Sequence, residues 1–271
     1  MISIAELMRA GRIDAIDARV LLRATLGVND AYLIAHAHDG VSAPHEAQFR
    51  ALAARRAAGE PVAYIVGERE FYGHVFKVTP AVLIPRPETE LLVELALQRT
   101  PPHGIQRVLD LGTGSGCIAI SIALTQPAAQ VTALDRSEAA LTVARENAAR
   151  LNARNVVFQT SDWFDAVRNQ RFDIIVSNPP YVAEDDVHLT QGDLCFEPAS
   201  ALAAGADGLA DIRIIAAGAR AHLAPGGWLL LEHGYDQASR CRALLSQAGF
   251  GEVQSWRDLA GIERVSGGRA A

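Results

Sequence analysis

Two hydrophobic periodicities divide this chain. Over residues 1 to about 66 the apolar positions recur at helical spacing and nothing alternates as a strand would. Within Asp14 to Thr25, Ile16, Val20, Leu21 and Ala24 fall on one face, and Ala47 to Ala58 is an alanine- and arginine-rich helical stretch ended by Gly59-Glu60-Pro61. A small helical bundle would bury these stripes. Its arginines read as a solvated face, with a dedicated partner surface as the alternative. Glu70-Phe71-Tyr72-Gly73-His74-Val75-Phe76-Lys77-Val78 then alternates around a glycine-centred turn, the pattern of a β-hairpin. Arg86-Pro87-Glu88 opens a helix to about Arg99, with Pro87 and Glu88 in the first turn, where both are favoured. Pro101-Pro102-His103-Gly104 breaks the chain. From residue 105 short apolar runs alternate with helical segments, as in a mostly parallel α/β sheet. The strands are Val108-Leu109-Asp110-Leu111, Gln130-Val131-Thr132-Ala133-Leu134, Val156-Val157-Phe158-Gln159-Thr160, Phe172-Asp173-Ile174-Ile175-Val176-Ser177 and Gly226-Gly227-Trp228-Leu229-Leu230-Leu231-Glu232. The expected division is a helical bundle at 1–66, a hairpin and linker helix at 67–104, and an α/β domain at 105–271.

Candidate chemistry sits where these strands end. After the first strand comes Gly112-Thr113-Gly114-Ser115-Gly116, opening the apolar helix that begins at Cys117. Glycines let a backbone turn sharply and approach a ligand without a Cβ penalty. A lone glycine loop is shared by phosphate, dinucleotide and nucleoside binders, but the spacing narrows the choice. Dinucleotide enzymes favour G-x-G-x-x-G/A, whereas here the third glycine arrives one residue early; no Gly-Lys-Ser/Thr follows, so it is not a P-loop. G-x-G-x-G is the form used with S-adenosylmethionine (SAM), which has no phosphates to cradle. The second strand ends in Asp135, about 20 residues past the loop, the distance of a ribose-binding carboxylate. An ionised Asp only accepts, so it can take bonds from both ribose hydroxyls; a strand-end Asp also serves as a helix cap, a task Ser137 can perform instead. Ser161-Asp162-Trp163-Phe164 follows the third strand, with Asp162 and Trp163 placed for an adenine edge and face.

The fourth strand runs into Asn178-Pro179-Pro180-Tyr181. Consecutive prolines forbid both helix and ladder bonding and hold an extended corner at the strand's carboxyl end, where open α/β sheets bind ligands. An ordinary Pro-Pro loop is the plain alternative. As a site, the corner offers acceptors, the Asn178 side-chain oxygen and the Pro179 carbonyl, while Tyr181 adds an aromatic face. That set suits an –NH2 group with two donors and a flat π-face. A cationic lysine or arginine substrate would call for carboxylates; a neutral Asn suits a neutral amide or aromatic amine. Acceptors on both N–H bonds would orient a poorly nucleophilic amide nitrogen and stabilise the charge that develops on it. No general base is demanded, since the methylated nitrogen can lose its proton to water.

With these residues in place, the chain resembles the HemK-type protein glutamine N5-methyltransferases along nearly its whole length. The marks are Ile84-Pro85-Arg86-Pro87-Glu88-Thr89-Glu90, Asp110 through Gly116, Asp135, Ser161-Asp162-Trp163-Phe164, Asn178-Pro179-Pro180-Tyr181, Phe196-Glu197-Pro198, Leu231-Glu232-His233-Gly234, and Arg257-Asp258 with Glu263-Arg264. The Arg86-Pro87-Glu88-Thr89-Glu90 segment is similar to that of the release-factor branch. The resemblance implies a class I SAM-dependent, Rossmann-like fold whose closing antiparallel pair would be Val253-Gln254-Ser255-Trp256-Arg257 and Arg264-Val265-Ser266. It implies methylation of the glutamine amide in the Gly-Gly-Gln motif of peptide chain release factors. Positioning a glutamine of a large folded protein takes remote binding energy, and the N-terminal bundle is its expected source, as a recognition module. A ribosomal-protein glutamine and a DNA adenine are the rival substrates, since Asn-Pro-Pro-Tyr is shared with other amino-methylating enzymes. A non-catalytic SAM-binding adaptor is disfavoured by the intact glycine loop and Asn178.

Composition adjusts the picture at the edges. The net charge of −6 argues against a sequence-independent nucleic-acid partner, which needs clustered cations. Cys117, Cys195 and Cys241 are odd in number, far apart and without a C-x-x-C, which fits reduced thiols in a cytoplasm. Cys117 is expected to pack as a small apolar residue rather than act as a nucleophile. No apolar span of about 18 residues occurs, so neither export nor membrane insertion is expected. Glu184-Asp185-Asp186-Val187-His188 lacks ligand-like periodicity and is read as a solvated or substrate-facing loop rather than a metal site. His233 is read as a packed or capping residue, and a monomer is the working expectation.

Overall fold

The computed structural model describes residues 1–99 and 106–271, so the expected break at Pro101-Pro102-His103-Gly104 lies outside the described residues. The chain forms two compact units: Met1–Glu68 with Gln191–Phe196, and Arg69–Thr190 with Glu197–Ala271.

The first unit is helical. It contains α1 (Ile4–Ala10), α2 (Ala15–Leu26), α3 (Asp30–Ala35), α4 (Ala43–Ala57) and α5 (Val62–Val66). Each of the first three is started by a side-chain cap: Ser3, in a capping box with Glu6, then Asp14 and Asn29. Leu7, Leu21, Leu22 and Phe49 are fully buried at its centre. The buried face of α2 is Ala18, Leu21, Leu22 and Thr25, not the stripe through Ile16, Val20 and Ala24; Ile16 is 72% exposed. Periodicity alone discounted Thr25, yet its hydroxyl donates to the Leu21 carbonyl at 2.8 Å and can therefore be buried. One arginine also departs from the solvated face. Arg56 is only 24% exposed and bonds Asp17 at 2.6 Å and Asp193 at 2.8 Å, so the segment 191–196, far away in sequence, is held inside this unit.

A hairpin follows, β1 (Glu68–Phe71) and β2 (His74–Lys77), which from Arg69 onward belongs to the second unit. Its two turn residues, Tyr72 and Gly73, both have positive φ, the geometry that matches the twist of a two-residue hairpin. A 3-10 turn, Pro87–Thr89, then leads into α6 (Glu90–Gln98). The remaining elements are β3 (Arg107–Leu111), α7 (Cys117–Thr125), β4 (Gln130–Asp135), α8 (Glu138–Leu151), β5 (Val156–Thr160), β6 (Phe172–Ser177), α9 (Ala210–Ala219), β7 (Leu223–Glu232), α10 (Ala238–Gln247), β8 (Gly251–Arg257) and β9 (Glu263–Arg269). Seven of the strands form one sheet in the order β5-β4-β3-β6-β7-β9-β8. The first five are mutually parallel, and β9 inserts antiparallel between β7 and β8, closing the sheet as the sequence implied.

Alternation along the strands feeds two cores, one on each face. Val108, Ile174 and Val176 pack with Leu92 of α6 and Ile118 and Ile122 of α7; Leu109, Leu111 and Ile175 pack with Ile212 of α9 and Leu245 of α10. From β3 the chain winds outward to β4 and β5, then returns to lay β6 on the other side of β3. That reversal leaves a crevice at the carboxyl ends of β3 and β6. Leu111 and Ser177 are register partners there, and the Ser177 hydroxyl donates to the Leu111 carbonyl at 2.7 Å. The glycine turn and the Asn-Pro-Pro-Tyr corner therefore start side by side. Among the described residues no helix is long and apolar enough to cross a membrane.

Candidate active site

The glycine turn is strapped to its neighbours by its own backbone. Gly112 and Thr113 N–H both donate to the Leu134 carbonyl at 2.9 Å, Gly114 N–H donates to Asp135 Oδ2 at 2.9 Å, and Gly116 N–H donates to the Thr113 carbonyl at 2.9 Å. Four amides that a phosphate cradle would leave free are consumed. Gly116 has φ +81°, and a Cβ on it would stand 2.8 Å from Ile120 Cδ1 and 3.2 Å from Ala144 Cβ, so this glycine lets α7 and α8 close up beneath the turn. Below lies Asp110, fully buried. Its Oδ2 accepts from the Thr113 hydroxyl at 2.6 Å, and its Oδ1 has no hydrogen-bond partner among the described residues. Burial pushes its pKa up to about 7, against the pull of Thr113.

Asp135 ends β4 with each carboxylate oxygen accepting one backbone N–H, from Gly114 and, at 2.8 Å, from Ser137. The cap of α8 is Ser137, which accepts from Ala140 N–H at 3.2 Å. A carboxylate has about four acceptor positions, so two remain for a ligand's hydroxyls. Beyond β5, the Ser161 hydroxyl donates to the Trp163 carbonyl at 2.9 Å and accepts from Ala166 N–H at 3.0 Å, fixing a turn in which Trp163 takes φ +42°.

At the corner, Asn178 is half-buried and its Nδ2 donates to Thr89 Oγ1 at 3.3 Å. Among the described residues neither its Oδ1 nor the Pro179 carbonyl accepts a hydrogen bond. The Tyr181 carbonyl is taken by Gln237 Nε2 at 2.9 Å. The Tyr181 ring packs against the core below α9 and α10, with its hydroxyl 3.5 Å from the buried Glu232 carboxylate; burial first and that charge second hold the phenol above its usual range.

A cleft of about 270 Å³ joins these pieces. Gly112, Thr113, Gly114, Ser115, Asp135, Asp162, Trp163, Asn178 and Pro180 line it, whereas the side chains of Pro179 and Tyr181 and the backbone of Gly116 are not part of its lining. The remaining wall comes from Val82, Pro85, Arg86 and Thr89, and from Ser200 and Asp211. Roles for Arg86, Thr89 and Asp211 escaped the sequence reading because no strand end announces them. The nearest signal was the Pro-Glu-Thr-Glu start of a helix, where polar residues are usually only caps. Arg86 pairs with the buried Glu197, whose carboxylate also accepts from Ile84 N–H at 3.1 Å. Asp211 is pushed upward by burial first, with Asp162 adding to the rise.

SAM fits this donor set. The carboxylates that line the cleft are Asp135, Asp162 and Asp211; of the two lining cations, Arg86 is neutralised by Glu197 and Arg136 donates to the Ser200 carbonyl at 3.2 Å. An acid-rich cleft with four of the five amides of its glycine turn consumed suits a cationic, phosphate-free ligand. Asp135 would hold the ribose, Trp163 and Asp162 the adenine, and the glycine turn over Asp110 the amino-acid end. Cys117, beside the turn, is buried and its thiol pushed up to about 12, which leaves it inert as a nucleophile. His188 and Asp186 form an exposed pair at 2.6 Å, and His233 is buried against Ser266 at 2.8 Å.

Residues 87–205 match the family model described as a methyltransferase small domain, and residues 4–67 match the PrmC N-terminal domain. Among solved structures, a methyltransferase from Pyrococcus furiosus superposes with TM-score 0.54 at 21% identity over 80% of this chain and 95% of that one. The T. thermophilus 16S rRNA N2 G1207 methyltransferase, solved with AdoMet and guanosine, gives TM-score 0.54 at 24% identity over 75% of this chain and 50% of that one. Sheet order, glycine turn and cleft define a class I SAM-dependent methyltransferase. Full-length relatives narrow the class: a release factor glutamine methyltransferase of Bordetella pertussis is 55% identical over 99% of both chains, and one of Burkholderia pseudomallei is 56% identical over 98% of this chain and 95% of that one. The chain belongs to the release factor glutamine methyltransferase family.

Proposed function

We propose that this chain transfers the methyl group of SAM to the side-chain amide nitrogen of the glutamine in the Gly-Gly-Gln motif of peptide chain release factors, acting as a monomer in the cytoplasm, and that the helical unit supplies docking for the protein substrate. The observation that carries this reading is the acceptor pair at the corner, Asn178 Oδ1 and the Pro179 carbonyl, which accept no hydrogen bond from the described residues and belong to a neutral rather than anionic group. SAM supplies an electrophilic methyl group on its sulfonium. The protein's share is orientation and charge. Asn178 and Pro179 accept the two N–H bonds of the glutamine amide, aim its nitrogen, and stabilise the positive charge that grows on it. Tyr181 backs the corner through packing. No side chain is required as a base, because the methylated nitrogen loses its proton to water. Transfer of labelled methyl from SAM to purified release factors, with ribosomal proteins and DNA alongside, tests this. Incorporation into the release-factor glutamine alone is the expected result; incorporation into DNA or a ribosomal protein instead would overturn it.

A further inference from the structure

The corner must hold its acceptors still, yet its two prolines have no N–H with which to be tied down. The chain is fixed before it, where the Ser177 hydroxyl donates to the Leu111 carbonyl, and after it at Val182. There the Val182 N–H donates to the Leu202 carbonyl and the Val182 carbonyl accepts from Ala204 N–H, both at 2.9 Å. Between these holds, the Tyr181 carbonyl is bonded by a side chain from the start of α10. Gln237 is buried there, its Nε2 donating to the Tyr181 carbonyl at 2.9 Å and the Gly208 carbonyl at 3.4 Å, while its Oε1 accepts from Gly234 N–H at 2.8 Å. These partners leave the amide one orientation, since turned over it would set oxygen against carbonyls and N–H against N–H. Two glycines make room for it. A Cβ on Gly208 would stand 2.8 Å from Nε2, and one on Gly234 3.1 Å from Oε1. The helix does not account for the residue: caps favour short Ser, Thr, Asp or Asn, and Gln237 stands at the cap of α10 without a side-chain bond to it.

We propose that Gln237 is a positioning residue for methyl transfer: its amide clamps the Tyr181 peptide, two residues past Pro179, and so sets the direction in which the Pro179 carbonyl and Asn178 Oδ1 meet the substrate amide. This rests on the acceptor role given to the corner above. Placement matters at this scale, because a displacement of about 1 Å can cost about 10²-fold in rate. The donor end of the amide is the part that acts on the corner. Gln237→Glu keeps the size and the acceptor toward Gly234, but its second oxygen can donate to Tyr181 only while protonated. Burial beside two carbonyls favours the neutral acid. As that acid ionises, two acceptors face the Tyr181 carbonyl's oxygen and the clamp turns repulsive.

The full chain with SAM and intact release factor provides the test, read as kcat, SAM affinity and melting temperature for the wild type, Asn178→Ala, Gln237→Ala and Gln237→Glu. Gln237→Ala should lower kcat roughly tenfold, the value of one neutral hydrogen bond, with SAM affinity unchanged. Gln237→Glu should turn over close to the wild-type rate near pH 6, and the ratio of its kcat to the wild type's should fall roughly tenfold by about pH 9. Taking the ratio cancels the groups that titrate in both proteins: Glu232 and His233 at the end of β7, Tyr181, Asp236 on the same loop, and Asp207, which pairs with Arg213 and Arg240 beside Gly208. Wild-type turnover in folded Gln237→Ala, or a ratio for Gln237→Glu that does not change with pH, overturns the clamp; an inactive Asn178→Ala then leaves the acceptor corner standing. Full activity in Asn178→Ala removes the corner's role and the clamp with it. A fall in SAM affinity that matches the fall in kcat also overturns the proposal, because Gln237 then supports the fold as a whole. Should Gln237→Ala lose its melting transition, the Gln237→Glu ratio decides alone.

Discussion

At the scale of single residues, the corner and the cofactor cleft separate experimentally. Asn178→Ala removes one transition-state acceptor and should lower methylation by about 10²-fold or more while SAM binds nearly normally; calorimetry beside a turnover assay separates the two. Asp135→Ala acts the other way. Each ribose bond to a charged acceptor is worth about 1.5–3 kcal/mol, and the substitution also frees the Gly114 and Ser137 amides. The SAM dissociation constant should rise at least tenfold, with a smaller effect on kcat at saturation. Asp110 links the same binding to pH. It holds its proton below about 7 in the free protein, and a cationic ligand over the turn favours the ionised form. Binding therefore releases a proton, and affinity should strengthen as pH rises from about 6 to 8, then level off; Asp110→Asn should be flat. Asp135 was legible from its place at a strand end. The buried state of Asp110 was not, because a sequence does not say which carboxylate lies under a turn.

At the scale of elements, the strands and their order of appearance could be read directly, since each is a short apolar run ending in a turn or polar signal. What failed was the face of α2, where a buried threonine satisfied by its own helix looks polar in the sequence. Long-range contacts were equally hidden. Gly208 illustrates one: it has φ +69°, and a Cβ there would stand 2.3 Å from the Tyr181 carbonyl oxygen and 2.8 Å from Gln237 Nε2. The loop before α9 and the Asn-Pro-Pro-Tyr corner thus touch backbone to backbone. Gly208→Ala must displace the corner, at a cost on the order of 1–3 kcal/mol for the strained conformation alone. The expected signature is a fall in kcat/KM for the protein substrate with SAM affinity little changed, checked by pairing turnover with calorimetry.

For the whole molecule, docking of a folded release factor demands surface remote from the chemistry, because binding energy gathered there positions the reacting group. The helical unit carries exposed apolar side chains suited to this, with Ile16 72%, Ile34 71% and Tyr32 41% exposed. Ile16→Lys with Ile34→Lys should reduce activity on intact release factor at least tenfold and leave a short Gly-Gly-Gln peptide unaffected, as measured by kcat/KM on both. Equal loss on both substrates, or none on either, would exclude this face as the docking surface.

The return of residues 191–196 to the helical unit bears on how such enzymes can be recombined. Arg56 is neutralised by Asp17 at one end and Asp193 at the other, and the Phe196 ring lies against Gly59, where an added Cβ would stand 3.3 Å away. The N-terminal unit is therefore not inherited as a simple prefix. A hybrid that takes residues 1–68 from one relative and the remainder from another would bring together an Arg56 and a 191–196 segment that were never selected as neighbours. Grafting the six-residue segment along with the prefix should recover the melting temperature of the parents, and a hybrid lacking it should melt lower even though every catalytic residue is present.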